Sequence, residues 1–343
     1  MNTSIKDKLE TAFCTLSQES KGLFYIKLYI PTEVSEVHTV ISALTFYRNY
    51  VSKNIPVVIK NGIKHWAAVD KWEIEYLKSK IGNKEITVAV TPNGYADAIA
   101  KEKTLFGTSD KEFFVMPEER RMTMNAFLET LEKPCDDSIF YIQKQNSNFE
   151  EYSELWRDID SDISWASEAF GSKPDAVNFW MGDHRAISSM HKDPYENIYC
   201  VISGTKEFIL HPPTDLPWIP YNKYPIATYK EVKPKKWITK LVKSAFTTTD
   251  NSNTNELLCE EDFVNSVPWI SIDPLNPNYK KYPRYKNATK IQVKVDKGDV
   301  LYLPSLWFHH VKQSHACIAI NYWYDMEYDI KYAYYKFLET LCK

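Results

Sequence analysis

The second half of the chain contains many short β-strand patterns, which constrain the fold more than any other feature. Each segment is apolar or alternates between apolar and polar residues, and turn signals such as Ser203-Gly204 separate them. From residue 176 onward the predicted strands are Val177–Trp180, Asn197–Ile202, Lys206–Leu210, Ile291–Val295, Val300–Leu303 and Cys317–Tyr322. Many short strands joined by turns are typical of a β-sandwich or a β-barrel.

The remaining elements surround this region. Apolar residues recur at helical spacing over residues 3–20, which predicts an amphipathic helix. Further strands are predicted at Pro56–Ile59, Ile86–Val90 and Phe140–Ile142, and further helices at Glu150–Ala169 and Glu327–Cys342. Residues from about 230 to 262 are Lys-rich and then rich in Asn, Thr and Ser, which indicates a partly mobile surface insertion. No linker of Pro, Gly and Ser divides the chain, so we expect one domain. Residues 1–140 would pack on a core of residues 141–326, and a C-terminal helix would occupy residues 327–343.

Composition excludes several classes of function. The net charge of −3 gives no global attraction to nucleic acid. Six cysteines are scattered without a CxxC pair, which is typical of free thiols in a reducing compartment. The chain has no apolar leader segment at its amino terminus and no run of 18 apolar residues. We therefore expect no membrane association and a cytoplasmic protein, with the nucleus as a second candidate compartment.

Candidate metal ligands stand at two places in the strand region. His191 and Asp193 are separated by Lys192, and His309 follows 118 residues after His191, close to a predicted strand. Two histidines and one carboxylate form a face that leaves neighbouring positions open on Fe(II), whereas a structural zinc is closed by four protein ligands. His310 is an alternative to His309, because side chains alternate along a strand and only one of the two can face the pair. A surface histidine beside a turn aspartate is the alternative for the His191 triplet.

Lys206 is a second candidate. It shares a predicted strand face with Phe208 and Leu210, where a lysine is costly unless an anion meets it. Its amine could also extend to solvent at the end of the strand. Ser188, Asn197 and Tyr141 could add neutral hydrogen bonds around such an anion, which would suit the distal carboxylate of a dicarboxylic co-substrate.

Longer motifs extend through most of the chain. They include Val177–Gly182, His191–Asp193, Tyr195–Cys200, Trp307–Val311 and Asn321–Asp329, with Ala89–Ala98, Met116–Arg121 and Tyr141–Gln145 upstream. With these motifs the chain resembles the jumonji-C oxygenases, and within them the lysyl 3-hydroxylase type. The resemblance implies a mainly β fold with flanking helices around a double-stranded β-helix core of the cupin or jelly-roll type. It also implies Fe(II), the co-substrate 2-oxoglutarate and dioxygen.

The resemblance assigns roles to the candidates. It implies that His191, Asp193 and His309 are the catalytic iron ligands, and that Lys206 pairs with the 5-carboxylate of 2-oxoglutarate. Tyr141, Ser188 and Asn197 would lie beside that co-substrate. The implied substrates are developmentally regulated GTP-binding proteins, hydroxylated at C3 of a lysine. A lysine needs a negative pocket, for which the candidate carboxylates are Asp183, Glu196, Asp325 and Glu327.

Three other functions stay open at this point. The same iron chemistry would serve a histone-tail lysine demethylase, and a zinc in the same triad would serve a metal-dependent endopeptidase acting on methylated histone tails. A non-catalytic cupin-like binding module is the third. The final helix carries one apolar stripe that can pack on its own barrel or on a second copy. Related oxygenases dimerise through such helices, so we expect a homodimer.

Overall fold

The protein is described by a computed structural model that covers residues 4–21, 30–39, 41–145, 147–242 and 265–342. The seven α-helices of these residues are α1 Ile5–Lys21, α2 Ala43–Phe46, α3 Ala67–Lys71, α4 Ile74–Ile81, α5 Met124–Glu132, α6 Ser164–Phe170 and α7 Ile330–Leu341. A π-helical turn follows α2 at Tyr47–Val51, and 3₁₀ segments lie at Asn148–Asp158, Pro213–Trp218 and Pro283–Asn287.

Strands dominate the described residues. The first ten are β1 Ser35–Val37, β2 Val57–Ile59, β3 Glu85–Thr91, β4 Tyr95–Ala96, β5 Ala98–Thr104, β6 Gly107–Met116, β7 Glu118–Thr123, β8 Ile139–Ile142, β9 Ala176–Gly182 and β10 Ile187–His191. The others are β11 Tyr195–Ser203, β12 Thr205–His211, β13 Tyr221–Lys233, β14 Lys236–Leu241, β15 Ser266–Ile270, β16 Ile291–Asp296, β17 Val300–Leu303, β18 Phe308–Gln313 and β19 Cys317–Asp325.

The strands form three sheets. The major sheet has nine strands in the order β1-β2-β17-β11-β19-β9-β8-β3-β7, and the minor sheet has five in the order β16-β12-β18-β10-β4. A third sheet, β14-β13-β6-β5, carries β15 on the edge of β13. The predicted mainly β fold with flanking helices and a cupin-type core is confirmed.

The major and minor sheets face each other across one apolar core. Tyr199 and Leu301 come from the major sheet, while Phe208, Val295 and Val311 come from the minor sheet, and all belong to the same buried cluster. Side chains of alternate residues point to opposite faces of a strand. The facing sheets therefore bury one set of side chains between them, and the mouth of this space holds the site described below.

The opposite face of the major sheet carries the helices. Phe46 of α2 is fully buried, and its ring centroid lies 4.8 Å from that of Tyr302 on β17. Strands β1, β2, β3 and β7 belong to the same sheet as β11 and β19. Residue 140 lies within β8, whose neighbours are β3 and β9. The N-terminal residues thus supply strands of the major sheet as well as the helices that cover it.

Two segments differ from the sequence-based expectation. The helix predicted at Glu150–Ala169 is wrong, because a 3₁₀ segment ends at Asp158 and α6 begins at Ser164. The carboxylate of Asp158 accepts hydrogen bonds from Trp72 Nε1 and Tyr76 Oη, which fixes the chain where the continuous helix was expected. The stretch expected from about residue 230 to be a partly mobile surface insertion has regular structure in its first part. β13 continues to Lys233 and pairs with β14, so this part is a β-hairpin. The rest of that stretch, residues 243–262, lies outside the described residues.

Several strands carried too little apolar alternation to be predicted, among them β10, whose residues are Ile187-Ser188-Ser189-Met190-His191. In the described part of the chain, no helix is both long and apolar enough to cross a membrane.

Candidate metal centre

His191 and His309 lie opposite each other on neighbouring strands. β10 and β18 are antiparallel, and His191 pairs directly with His309, so that their ring centroids are 4.2 Å apart. Asp193, just beyond the end of β10, places Oδ2 3.6 Å from His191 Nε2 and 3.5 Å from His309 Nε2. Each of the three residues offers one potential ligand atom, and these three atoms lie within 4.8 Å of one another. The structure therefore brings together three residues that are far apart in the sequence.

The histidine rings are oriented by backbone carbonyls. His191 Nδ1 lies 2.7 Å from the Ser189 carbonyl oxygen, and His309 Nδ1 lies 3.0 Å from the Trp307 carbonyl oxygen. A carbonyl can only accept, so each Nδ1 carries the proton and each Nε2 keeps its lone pair. Burial and the neighbouring His191 lower the pKa of His309 to about 4. His309 is therefore neutral near pH 7, as a metal ligand must be.

The register of β18 separates His309 from His310. His309 pairs with Leu210 of β12 and His310 pairs with Ile209, so the two rings point to opposite faces of the minor sheet. His310 Nε2 lies 3.8 Å from Asp273 Oδ1 on the side away from Asp193. The alternative left open by the sequence is thereby decided geometrically in favour of His309.

Lys206 is a buried ammonium without a carboxylate partner. Its side chain, on β12, is 1% exposed, and Nζ donates to Tyr141 Oη at 3.0 Å and to Gln313 Oε1. The rings of Tyr141 and Tyr199 lie 5.2 and 5.8 Å from the ammonium. At this exposure the amine does not extend to solvent. Among the described residues no carboxylate lies within 4.0 Å of Nζ, so no described carboxylate balances the charge of the ammonium. Burying such a charge is costly, which makes this position suited to an anion.

Gln313 was not identified from the sequence. It pairs with Lys206 across β12 and β18 and lies four residues after His309 on the same face. Its Nε2 donates to the Asp183 carbonyl oxygen at 2.9 Å, which directs its Oε1 toward the ammonium. The sequence signal for Gln313 was its even spacing from His309, because alternate residues of a strand face the same side. This signal can be used only once β18 is known to be a strand.

The remaining predicted residues line the same pocket, which has a volume of about 810 Å³. Tyr141, Ser188 and Asn197 line it together with the three candidate metal ligands. Asn197 Oδ1 accepts from Asn321 Nδ2 at 3.0 Å, and Asn321 Oδ1 accepts from Trp180 Nε1 at 2.7 Å. This chain of hydrogen bonds fixes the amide orientation on the major sheet, opposite the metal ligands of the minor sheet.

Two further residues of the pocket were missed. The ring of Trp269 on β15 lies parallel to that of His191, with centroids 6.3 Å apart. Its centroid lies 4.6 Å from that of the Phe114 ring. Asp97 follows β4 and accepts a hydrogen bond from Gln143 Nε2 at 3.2 Å. Burial raises the pKa of Asp97 to about 6. No sequence pattern pointed to either residue, because both reach the site through pairings of edge strands.

The carboxylates expected to meet a substrate lysine do not line this pocket. Asp183 is buried and pairs with Arg185, whose Nη2 lies 2.6 Å from Oδ2. Glu196 is buried and accepts from Tyr302 Oη and Ser305 Oγ at 2.7 and 2.8 Å. Asp325 and Glu327 are exposed and line a separate groove beside α7. The expectation for these four residues is therefore wrong.

Asp183 also belongs to a second group of possible metal donors, with His184 and His315. Asp183 Oδ1 is 3.1 Å from His184 Nδ1, but the guanidinium of Arg185 contacts both carboxylate oxygens. A cation beside this guanidinium would meet like-charge repulsion. The group at His191, Asp193 and His309 has no such competing cation among its hydrogen-bond partners.

The donor set fits the metal that the resemblance implies. Two imidazoles and one carboxylate suit Fe(II), and no fourth donor of the described chain belongs to the group. Lys206 fits the far carboxylate of 2-oxoglutarate because it is a buried charge that no carboxylate of the described residues meets.

Comparison with known proteins agrees with this geometry. A family model described as a cupin-like domain matches residues 43–330. The chain belongs to the JmjC family of cupin-like proteins. It is 43% identical over 319 residues to "Bifunctional peptidase and (3S)-lysyl hydroxylase JMJD7" of Homo sapiens, and the match covers 92% of each chain. It is 38% identical over 330 residues to "Lysine-specific demethylase JMJ32" of Arabidopsis thaliana, covering 92% of this chain and 88% of the relative.

A third relative is "JmjC domain-containing protein E" of Dictyostelium discoideum, 36% identical over 357 residues, with 98% of this chain and 95% of the relative covered. JmjC proteins generally use Fe(II) and 2-oxoglutarate. The predicted family is confirmed, and with it the class of enzyme, a 2-oxoglutarate-dependent oxygenase.

Removal of His309 should abolish tight metal binding. His309→Ala deletes one of three donors, and because loss of a supporting residue outside the ligand set already costs about 10- to 100-fold in affinity, we expect a loss of about 100-fold or more. Anaerobic calorimetric titration with Fe(II) measures it. His65→Ala is the control, since His65 is exposed and pairs with Asp160 outside the pocket. Unchanged affinity in His309→Ala would rule out this centre.

Proposed function

We propose that this oxygenase hydroxylates proteins, at C3 of a lysine, with Fe(II) held by His191, Asp193 and His309. The observation that carries the proposal is the position of Lys206, a buried ammonium without a described carboxylate partner, which donates to Tyr141 Oη, and Tyr141 lines the same pocket as the three metal donors. Together they provide one site for a metal and one for the far carboxylate of 2-oxoglutarate. Tyr141, Ser188 and Asn197 would complete the co-substrate site as neutral hydrogen-bonding groups.

When bound, iron and 2-oxoglutarate supply the oxidising power that places one oxygen atom of dioxygen on a C–H bond. The residues of the chain bind and orient. Lys206 fixes one end of the co-substrate. Tyr141 and Gln313 accept hydrogen bonds from the Lys206 ammonium and hold it in place. The ring of Trp269 lies parallel to that of His191 and gives this side of the pocket an apolar wall. Such placement is the main contribution that a protein makes to cofactor chemistry.

The lysine target is supported by the relative that is 43% identical and is named a (3S)-lysyl hydroxylase. We propose developmentally regulated GTP-binding proteins as the substrates, because they are those of the lysyl 3-hydroxylase type that the sequence resembles. The other names among the relatives give the competing functions. One relative is named a lysine-specific demethylase, and the human one is named a peptidase as well as a hydroxylase.

Mass spectrometry of peptide products distinguishes these functions. With Fe(II), 2-oxoglutarate and a lysine peptide from a developmentally regulated GTP-binding protein, we expect the gain of one oxygen atom on the lysine. A demethylase would instead remove a methyl group from a methyl-lysine peptide and release formaldehyde. A peptidase would cleave the peptide without 2-oxoglutarate. Either of these results, without oxygen gain, would contradict the proposal.

Replacement of Lys206 should weaken co-substrate binding. Lys206→Met keeps a long apolar side chain in the core but removes the charge. Hydrogen bonds to charged groups contribute about 1.5–3 kcal/mol, so the Kd of 2-oxoglutarate should rise about 10- to 150-fold. Titration of the Mn(II)-loaded protein measures this Kd. Lys312→Met is the matched control, because this half-buried lysine lies on the neighbouring strand and pairs with Glu207. An equal Kd in wild type and Lys206→Met would contradict the assignment.

We also propose that the protein forms a homodimer through α7. Ile330, Tyr334 and Phe337 are 66%, 68% and 62% exposed and lie on one face of this helix with Leu341. Tyr335 on the opposite face is buried against the barrel. The exposed stripe is therefore additional to the packing that holds the helix. A contiguous exposed apolar patch of this kind is typical of an interface between proteins.

A charge on this stripe should separate the two copies. Phe337→Glu would place a carboxylate in the proposed interface, where burying it without a partner is costly. Sedimentation velocity should give a dimer for the wild type and a monomer for the variant. Thr340→Glu adds the same charge on the same helix beside the stripe and should remain dimeric. A monomeric wild type would exclude the dimer.

A further inference from the structure

The pocket that contains the metal donors has an acidic side, formed by Asp97 and Glu119. Apart from Asp193, its lining contains two carboxylates, Asp97 and Glu119, and one cation, Lys144. Lys144 is exposed and lies 3.8 Å from Glu151, so its charge is already countered. In the described part of the chain, no basic group lies within 4.0 Å of the Asp97 or the Glu119 carboxylate. Two acidic side chains that pair with no lysine or arginine of the described residues therefore line this pocket.

Asp97 is held close to the metal donors by strand pairing. β4 runs parallel to β10, with Tyr95 opposite Ile187 and Ala96 opposite Ser188. Asp97 follows directly, and its carbonyl oxygen accepts from Ser189 Oγ at 2.6 Å, two residues before His191. The backbone of Asp97 has a φ of 52°, a left-handed conformation that Asp and Asn adopt more readily than other non-glycine residues. Its carboxylate accepts one hydrogen bond, from Gln143.

Glu119 is placed by a row of paired residues across the major sheet. Glu119 pairs with Ala89, Ala89 pairs with Tyr141, and Tyr141 pairs with Gly182. Directly opposed residues of neighbouring strands point to the same face, so Glu119 faces the same side as Tyr141. Neighbouring strands lie about 4.8 Å apart, which puts Glu119 about 10 Å from Tyr141 with only the small Ala89 between them. The row leads from the Lys206 site to the acidic side of the pocket.

Aromatic rings line the path between the metal donors and this acidic side. Trp269 lies parallel to His191 and contacts Phe114, and both rings belong to the pocket. Flat apolar walls suit the methylene chain of a lysine, which buries its stem while its ammonium stays with polar partners. An ammonium near an aromatic face gains a further attraction.

We propose that Asp97, assisted by Glu119 at the mouth, binds the ammonium of the substrate lysine, while Phe114 and Trp269 enclose its methylene chain. This inference rests on the proposed lysyl hydroxylation and gives it a specificity determinant. The carbon to be hydroxylated lies near the backbone end of the side chain, so an ammonium fixed at Asp97 would hold that carbon beside the metal. A substrate with a neutral side chain of the same shape would leave the Asp97 carboxylate without a cation and would therefore bind less tightly.

Comparison of two peptides tests the ammonium contact directly. One peptide carries a single lysine, and the other carries norleucine, which has the same carbon chain without the ammonium. Affinities are measured by calorimetry on the full chain loaded with Mn(II) and 2-oxoglutarate, so that no turnover occurs. We expect the wild type to prefer the lysine peptide by about 10- to 150-fold.

Variants of the carboxylates should remove that preference. Asp97→Asn keeps the left-handed backbone and the acceptor for Gln143, so folding is preserved, and the preference should fall by about tenfold or more. Glu119→Gln should lower it by a smaller factor because Glu119 is exposed. Asp325→Asn, which removes an exposed carboxylate outside the pocket, is the matched control and should leave the preference unchanged. Melting temperatures of all variants check their folding.

Three results would overturn the proposal: equal affinity of the wild type for both peptides, a full preference in Asp97→Asn, or an equal loss in Asp325→Asn. The proposed function fails separately. A wild-type protein with Fe(II) that hydroxylates no lysine peptide contradicts lysyl hydroxylation, while the affinity ratio still reports whether Asp97 binds an ammonium.

Discussion

The site depends on the register between β10 and β18. Ser188 pairs with Val311 and His191 pairs with His309, so β10 contains one residue more than β18 over this interval. Without this bulge, Met190 would lie opposite His309 and His191 would lie opposite Phe308. A shift by one residue turns every following side chain to the other face of a strand. The bulge therefore determines that both imidazoles meet on one face and that Asp193 continues into the same space.

The second constraint is the charge of Lys206, which no carboxylate of the described residues meets. A buried ammonium held by two neutral acceptors destabilises the protein unless an anion binds, so the core is prepared for a carboxylate at the cost of stability. The pocket is thus divided electrostatically. Lys206 lies behind Tyr141, a residue of the lining, while His191, Asp193 and His309 line the pocket together with the carboxylates of Asp97 and Glu119. Such a division would allow an anionic co-substrate and a cationic side chain to bind at the same time without exchanging places.

The sequence predicted much of the fold because most core strands are strongly apolar or alternating. β11, β17 and β19 were found close to their observed bounds, whereas β10 was missed because its centre is Ser188-Ser189. The broken helix near Asp158 was also missed, since its cause is a hydrogen-bonded carboxylate that contacts residues about 80 positions away. The periodicity of a sequence reflects only its local pattern. β10 and the break near Asp158 depend instead on residues that are distant in the sequence.

The same distinction applies to the site. Lys206 could be predicted because a lysine is anomalous on an apolar strand face. His191 and Asp193 form a triplet that is weak by itself, and their role, like the choice of His309 over His310, came from the resemblance. Four residues of the site could not be predicted from the sequence: Asp97, Glu119, Trp269 and Gln313. Their residue types are ordinary in their local context, and only strand pairing brings them to the site. Of the acidic residues that looked suitable in the sequence, Asp183 and Glu196 are occupied by structural partners, while Asp325 and Glu327 line a separate groove.

A crystal structure of the protein with Mn(II) and N-oxalylglycine, an inert analogue of 2-oxoglutarate, tests the central claim most directly. Anomalous scattering should locate one metal ion bound by His191 Nε2, Asp193 and His309 Nε2, with no fourth protein ligand. The far carboxylate of the analogue should contact Lys206 Nζ. A metal ion held by His310, or by Asp183, His184 and His315, or an analogue that leaves Lys206 without an anion, would contradict the account.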